Sequence, residues 1–436
     1  MKLRNFLEID FPLIFSVIIL SIFGILFIYS SGVTSAGVLV SNEYIRQIIW
    51  AIVGLIGALV IAMVDYRRFY DLSIYLYLGT IALLAYTCLF GRLVNGARAW
   101  IGVGSFGIQP SEFAKITTII FLAQYLDNSK RNRNSFVRFF FSCVIVFVPM
   151  VVILLQPDFG TSLVFIPILL VMTFIAGMSL RYVLFLGACI VFTAVFMVLP
   201  LWQSYILRQS MPSMNILNNT KFVMITVLAL GIIAVIGLFG FLRYKKRYFY
   251  WIVYFTAIII LSLGVSFFSH KVLKDYQIMR LIVFLDPNVD PRGSGWNIIQ
   301  SITAIGSGGF MGRGYLQGTQ SHYRFLPQQS TDFIFSIFSE EWGLLGGLLV
   351  FTLFLIICLR LVRIMKTTSD PFGSYIAAGL SAMYIFHFLI NVGMTMGIMP
   401  ITGIPLLFMS YGGSALTSAM TGIGIALSIY TRRFQH

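Results

Sequence analysis

Residues 12–29 read PLIFSVIILSIFGILFIY, a run without a single charged side chain. An α-helix rises about 1.5 Å per residue, so a run of this length bridges most of a hydrocarbon core about 30 Å thick. Glu8 and Asp10 precede it, and it exceeds the roughly 7–15 residues of a signal-peptide core, so it reads as an uncleaved first span. Similar runs recur near 46–64, 72–90, 111–126, 139–155, 161–178, 182–201, 222–242, 248–268, 333–359, 373–396 and 404–430. The pattern predicts an all-α fold, a polytopic transmembrane helix bundle of about 12 spans. The 111–126 run is the most polar, because it holds Glu112 and Lys115.

Composition agrees. Of 436 residues 58% are hydrophobic and 10% charged, against roughly 25% charged in soluble domains. The abundance of Phe and the long apolar runs exclude a disordered chain. A net charge of +15 raises the question of nucleic acid, but the cations form short clusters between apolar runs rather than a basic stripe. Cys88, Cys143, Cys189 and Cys358 all fall inside apolar runs at irregular spacing, neither a disulfide framework nor a metal motif.

Cytoplasmic loops of membrane proteins are enriched in Lys and Arg. With the N-terminus in the cytoplasm and twelve spans threaded, 18 of the 30 basic residues fall inside, in short loops such as Arg67-Arg68, Lys130–Arg138, Arg243–Arg247, Arg360–Lys366 and Arg432-Arg433. Both termini are then cytoplasmic. One segment of some 60 residues, about 269–332, is too polar and glycine-rich to span and faces outward. It holds Asp275, Asp286, Asp290 and Asp332, four of the 15 acids, so the outer surface is where chemistry is expected.

Asp332 lies in LPQQSTDFIF (326–335), where the polar segment meets an apolar run. It reads either as a helix N-cap or as a carboxylate partly desolvated by Phe333 and Phe335, a change that raises an Asp pKa and suits a general base. Asp158, in QPDFGT (156–161), opens a span in the same manner and is open to the same capping reading. Glu112 and Lys115, three apart on one helix face, form either a mutually neutralising structural pair or the lining of a polar substrate cavity. The run GSGGFMGRG (306–314) has no strand before it and no Lys-Ser/Thr after it, so nucleotide loops fail on context. A mobile or tightly turned outer loop is expected there, with glycine permitting close backbone approach to a substrate. The four histidines are dispersed and no Gly-x-Ser-x-Gly elbow is present.

The dispersed motifs resemble the SEDS (shape, elongation, division, sporulation) family of bacterial peptidoglycan polymerases. They are RAWI (98–101), QPSEFAK (109–115), QPDFGT (156–161), DYQ (275–277), FLDP (284–287), QS (300–301), AIGSGG (304–309), GTQ (318–320), TDFIF (331–335), EE (340–341), PITGIP (400–405) and SYGGS (410–414). The Gly318-Thr319-Gln320 sequence resembles the rod-shape branch rather than the division branch. The match covers roughly 11–201 and 275–433. It implies ten family spans plus an inserted membrane hairpin over 202–274, with a large outer loop at 275–332 and a three-span C-terminal part at 333–433.

By that resemblance the enzyme polymerises lipid II, releasing undecaprenyl diphosphate, with Asp332 as the base. An α-linked donor becoming a β-1,4 glycan is an inversion, and an inverting displacement needs one base rather than a nucleophile pair. The residues implied for substrate binding are Arg98, Trp100, Ser111, Glu112, Lys115, Asp158, Gln277, Arg280 and Thr331. Arg98, Lys115 and Arg280 are the cations available to the leaving diphosphate, with a divalent cation such as Mg2+ or Mn2+ as a further candidate. Implied partners are the growing lipid-linked strand, membrane lipid, the elongation complex and a class B penicillin-binding protein, with no role for nucleic acid. The family commonly carries Glu and His where this chain has Gln328 and Ser330, which leaves those positions without an acid–base part. The rival readings are a lipid-linked precursor flippase and a non-enzymatic scaffold.

Overall fold

The computed structural model describes residues 10–94, 97–103, 106–131, 135–203, 206, 220–272, 275–291 and 293–433. Lys2, Arg4 and Arg133, counted above as cytoplasmic, lie outside the described residues, as does nearly all of 204–219. The chain divides into two compact units, one of residues 1–178 and 297–436 and one of residues 179–296.

The first unit opens with α1 (Phe11–Gly32), α2 (Glu43–Met63) and α3 (Arg68–Phe90). A three-stranded antiparallel meander follows, β1 (Arg92–Val94), β2 (Ala97–Val103) and β3 (Phe106–Ile108). Then come α4 (Pro110–Asn128), α5 (Ser135–Leu155), α6 (Phe159–Leu163) and α7 (Phe165–Ile175). The second unit holds α8 (Leu180–Trp202), α9 (Thr220–Tyr244), α10 (Arg247–Val272) and α11 (Asp275–Leu285). The chain continues through α12 (Ser294–Gly308), α13 (Thr319–His322), α14 (Ile334–Thr367), α15 (Pro371–Thr395) and α16 (Gly413–Thr431).

Helices α1 and α15 begin where the sequence supplies side-chain caps. Asp10 accepts from the Leu13 amide at 3.3 Å ahead of Pro12, and Asp370 accepts from the Phe372 amide at 3.2 Å ahead of Pro371. Side-chain caps matter doubly in a bilayer, where no water is present to satisfy the first backbone N–H groups. Small residues then let helices approach. Gly424 of α16 lies against the Ala58 backbone of α2, and Gly54 faces Met420. An aromatic cluster of Phe23, Phe27, Phe338 and Trp342 joins α1 to α14, with Phe27 and Phe338 centroids 4.5 Å apart. Helices α15 and α16 are 72% and 78% buried over their most apolar stretch against 17% for α2, so they form the centre of the bundle.

Among the described residues ten helices are long and apolar enough to cross a membrane. The other two expected spans coincide with α4, which carries Glu112, Lys115 and Asp127, and with the shorter Phe159–Ile175 stretch. The helical bundle is therefore as expected, while the twelve-span count stands as a proposal.

Three local features depart from the sequence reading. The meander at 92–108 was not anticipated, because its strands are short and glycine-interrupted. The outer segment is largely helical rather than a loop, in α11, α12 and α13. Residues 400–412 are irregular, so the last helix starts at Gly413 and not near 404.

The glycine-rich run has a structural explanation. Helix α14 breaks at Gly343, whose φ is +63°, and the turn after α12 closes on the break. Gly309 and Phe310 carbonyls accept from the Leu344 and Leu345 amides at 2.9 and 3.3 Å, and the Arg313 and Gly314 amides donate to the Glu340 and Glu341 carbonyls at 3.1 and 2.9 Å. Broken helices persist in membranes only when the freed backbone groups find partners. A Cβ on Gly312, at φ +82°, would collide with the Glu341 carbonyl. The glycines thus approach the protein's own backbone.

Candidate active site

At one end of the first unit the dispersed motifs converge. Asp158 caps α6, its Oδ1 accepting from the Thr161 amide at 3.1 Å, and its Oδ2 accepts from Gln109 Nε2 at 2.8 Å. Burial raises its carboxyl pKa, a change partly offset by the Thr161 hydrogen bonds. Gly160 presses on the Thr402 carbonyl, so the QPDFGT segment lies against PITGIP. Gln109 in turn donates its amide to Ser414 Oγ at 2.9 Å, tying the start of α4 to SYGGS.

Asp332 sits half-buried in a turn, and Phe333, 2% exposed, takes the cap position of α14 without a side-chain cap. Asn391 of α15 fixes this turn. Its Nδ2 donates to the Asp332 carbonyl at 3.0 Å and to the Ile404 carbonyl at 2.8 Å, bridging TDFIF and PITGIP. Thr331 closes the turn locally, its hydroxyl donating to the Gln328 carbonyl at 3.2 Å.

One turn before Asn391, His387 reaches the same polar core. The Pro405 carbonyl lies 3.1 Å from His387 Nδ1 and can only accept, so Nδ1 carries the proton and the Nε2 lone pair faces Lys115 Nζ at 3.1 Å. Lys115 also pairs with Glu112 at 2.8 Å, and Ser418 donates to Glu112 at 3.4 Å. Lys115 and Glu112 are 1% and 2% exposed, a geometry that fits the mutually neutralising reading and leaves little room for direct substrate contact. The Ser111 hydroxyl is fully buried, with no protein partner.

The remaining expected residues are dispersed. Arg98 is exposed on β2, opposite Leu93, while the Trp100 ring packs on Gly107 across the meander. Gln277 and Arg280 belong to α11 in the second unit, the former buried and the latter half-buried. Gln328 is exposed, and Ser330 donates to Glu43 of α2 at 2.6 Å. His387 and Asn391 carry no spacing signal, each being a lone polar residue on an apolar helix, and Glu43, in the first turn of α2, reads from sequence as an ordinary helix-start acid. Glu340 was visible as a motif without a role. Its carboxylate caps α13, accepting from the Gln320 amide at 2.8 Å.

The opposite end gathers the basic residues. Arg360 shares its Nε–H between the two carboxylate oxygens of Asp10 at 2.7 and 2.8 Å, Arg138 donates to the Leu126 and Ala176 carbonyls, and Arg432 donates to the Ala62 and Met63 carbonyls. Tyr66 hydrogen-bonds Asp370 there at 2.9 Å, and burial together with that carboxylate pushes its hydroxyl up to about 12.

A family model described as "cell cycle protein", covering FtsW, RodA and SpoVE, matches residues 11–221 and 214–435. The chain belongs to this family. It is 49% identical to the peptidoglycan glycosyltransferase RodA of Treponema pallidum over 99% of this chain and 100% of that one. It is 33% identical to stage V sporulation protein E of Bacillus subtilis over 96% of each. The peptidoglycan glycosyltransferase MrdB of Escherichia coli is 32% identical over 89% of this chain and 85% of that one. The fold matches a solved chain of a peptidoglycan synthase complex, studied for its coordination of polymerization and crosslinking, at TM-score 0.68 and 24% identity, covering 98% and 99% of the two chains. Thermus thermophilus RodA gives a TM-score of 0.62 at 22% identity over 99% and 100%.

Proposed function

We propose that the chain is a peptidoglycan glycosyltransferase that polymerises lipid II on the outer face of the cytoplasmic membrane, in cell elongation and shape maintenance. The observation that carries this reading is the Asp332 turn. Asp332 is half-buried, and its backbone carbonyl is held by Asn391 against the Ile404 segment, at the end of the bundle where Asp158, Gln109 and Ser414 also meet. Relatives at 49% and 32% identity named peptidoglycan glycosyltransferase supply the reaction class.

In the proposed step Asp332 accepts the proton of the attacking sugar hydroxyl. The new bond forms from that oxygen to the anomeric carbon of the donor. The anomeric carbon–oxygen bond to the lipid diphosphate breaks, and undecaprenyl diphosphate leaves with the electron pair. Inversion follows from a single displacement, which one base serves. Exposed Arg98 is the cation of the first unit proposed for the leaving diphosphate. Lys115 would have to leave Glu112 first, so its proposed part is to hold α4 in place. Among the described residues no three His, Cys, Asp or Glu side chains converge, so a divalent cation would be held by one or two carboxylates together with the substrate diphosphate.

The basic end of the first unit supports an orientation with both termini in the cytoplasm. The near-complete burial of Glu112 and Lys115 weighs against a flippase, which needs polar residues along an open path. Cross-linking is assigned to a class B penicillin-binding protein working beside this chain.

The test is purified protein in detergent with lipid II, where no bilayer exists to be crossed. The expected result is polymer from the parent and a loss of about 10²–10⁴-fold in Asp332→Asn at unchanged thermal stability. Near-native activity in the Asn variant refutes the base role. A folded parent that makes no polymer, with or without the transpeptidase, refutes the function.

A further inference from the structure

The link between α9 and α10 carries the densest charge of the second unit. Both helices are long and apolar enough to cross a membrane, and only Lys245 and Lys246 separate them, so this link lies at a bilayer surface. Arg243, Lys245, Lys246 and Arg247 all stand there with exposed side chains. No acid occurs anywhere between residues 159 and 274, and among the described residues none of the four cations pairs with a carboxylate. We infer that this tip, together with Arg181 of α8, is a binding site for the phosphate headgroup of an anionic phospholipid. The inference stands apart from the polymerase reading.

The fold itself gains nothing from this arrangement. Four like charges within five positions repel one another. Lys245 takes a left-handed φ of +52°, its amide donating to the Phe241 carbonyl at 2.9 Å, at a helix end where glycine is the usual residue. Arg247 opens α10, whose first turn holds no acid, and a cation there opposes the helix dipole. A bias toward basic cytoplasmic loops asks for charge on one side of the membrane. It does not ask for compression of that charge around a two-residue link.

The surroundings select a lipid. Cations clustered directly beside a membrane span attract anionic headgroups. Aromatic side chains of the kind that mark the hydrocarbon–water boundary flank the cluster. The Tyr244 and Phe249 rings stack with centroids 6.1 Å apart, and Tyr248 and Trp251 are exposed. Arg181 extends the patch from α8, its guanidinium 5.7 Å from the Tyr250 ring centroid and its carbonyl accepting from the Tyr254 hydroxyl at 2.8 Å. Tyr250 lies less than one helical turn beyond Arg247. Exposed Phe241 and Leu242 of α9 offer apolar surface beside the cations for acyl chains. An acidic protein needs cations that project into water, and a two-residue link projects little.

The experiment adds phosphatidylglycerol or phosphatidylcholine to full-length protein in uncharged detergent and measures retained lipid by native mass spectrometry. The expected result is preferential retention of phosphatidylglycerol, weakening as salt is raised. At roughly fivefold per cation, Lys245→Gln with Lys246→Gln should weaken it about 25-fold, and Gln at all four positions about several hundredfold. Arg243→Lys with Arg247→Lys keeps the charge and should bind within about twofold of the parent. Arg363→Gln with Lys366→Gln, exposed cations of the first unit, should bind like the parent. Thermal unfolding in lipid-free detergent shows which variants fold, and parent binding that ignores salt overturns the site without any variant. Equal retention of the two lipids overturns it as well, as does unchanged binding in the folded Lys245 and Lys246 variant. An equal loss in the Arg363 and Lys366 variant reduces the effect to net charge and overturns the assignment to this tip. Retention of glycerol 3-phosphate as tightly as the lipid, or capture of polyglutamate in its place, overturns the lipid as occupant.

Discussion

Replacing Lys115 with methionine should cost far more than replacing Lys115 and Glu112 together. The two charges stand 2.8 Å apart at 1% and 2% exposure. At an effective dielectric constant near 20 their attraction is about 6 kcal/mol, against a desolvation cost of several kcal/mol for each ion. The intact pair is thus close to break-even, while either charge alone is not. Lys115→Met strands the Glu112 carboxylate with the Ser418 hydroxyl, 3.4 Å away, as its recorded donor. Breaking a buried pair in this manner costs about 3–5 kcal/mol, or roughly 3–5 °C in the thermal midpoint of a chain this long. Glu112→Gln with Lys115→Met removes both charges and keeps an acceptor for Ser418, leaving only the neutral His387 Nε2 without its Lys115 donor, so it should melt about 1–2 °C below the parent. The measurement is thermal unfolding in detergent of the parent, both single variants and the double. A double variant as unstable as Lys115→Met refutes mutual neutralisation. A stable double variant without polymerase activity would return Lys115 to the list of diphosphate-binding cations.

Gly312→Ala should destabilise by about 1–3 kcal/mol because its φ of +82° and the Glu341 carbonyl both reject a Cβ. Gly306→Ala, inside α12 with open space around it, should be neutral or slightly stabilising; equal melting of the two would refute the stapled-break account. Tyr244→Cys, with the four native cysteines changed to serine, should resist an impermeant thiol reagent in intact cells, since Lys245 and Lys246 link α9 to α10 on the proposed cytoplasmic side. Ready labelling there overturns that orientation. Mild cross-linking in native membranes should recover a class B penicillin-binding protein with this chain, and repeated failure to do so would count against the pairing.

The apolar runs made the bundle legible, because a bilayer imposes one solution on an uncharged run such as 12–29. The limits of legibility follow from the same physics. The break at Gly343 sits inside a continuous apolar stretch, and no hydropathy window registers a single φ of +63°. The partner of that break, the turn at 309–314, carries its glycines for the helix thirty residues later. Composition reveals that backbone approaches something closely there, but not what it approaches. The site divides in the same way. Asp332, Asp158 and the Glu112–Lys115 pair announce themselves, since each stands inside or directly against an apolar run, where charge is rare. Neutral groups that orient them carry no such mark. Asn391, which fixes the Asp332 turn, is one amide on a long apolar helix, and only the fold brings it within 3.0 Å of the Asp332 carbonyl. Gln328 and Ser330 show the converse. As departures from the family pattern they first read as lost chemistry, yet Ser330 donates to Glu43, a residue nearly three hundred positions earlier. A carboxylate thus remains beside the Asp332 turn, carried by α2.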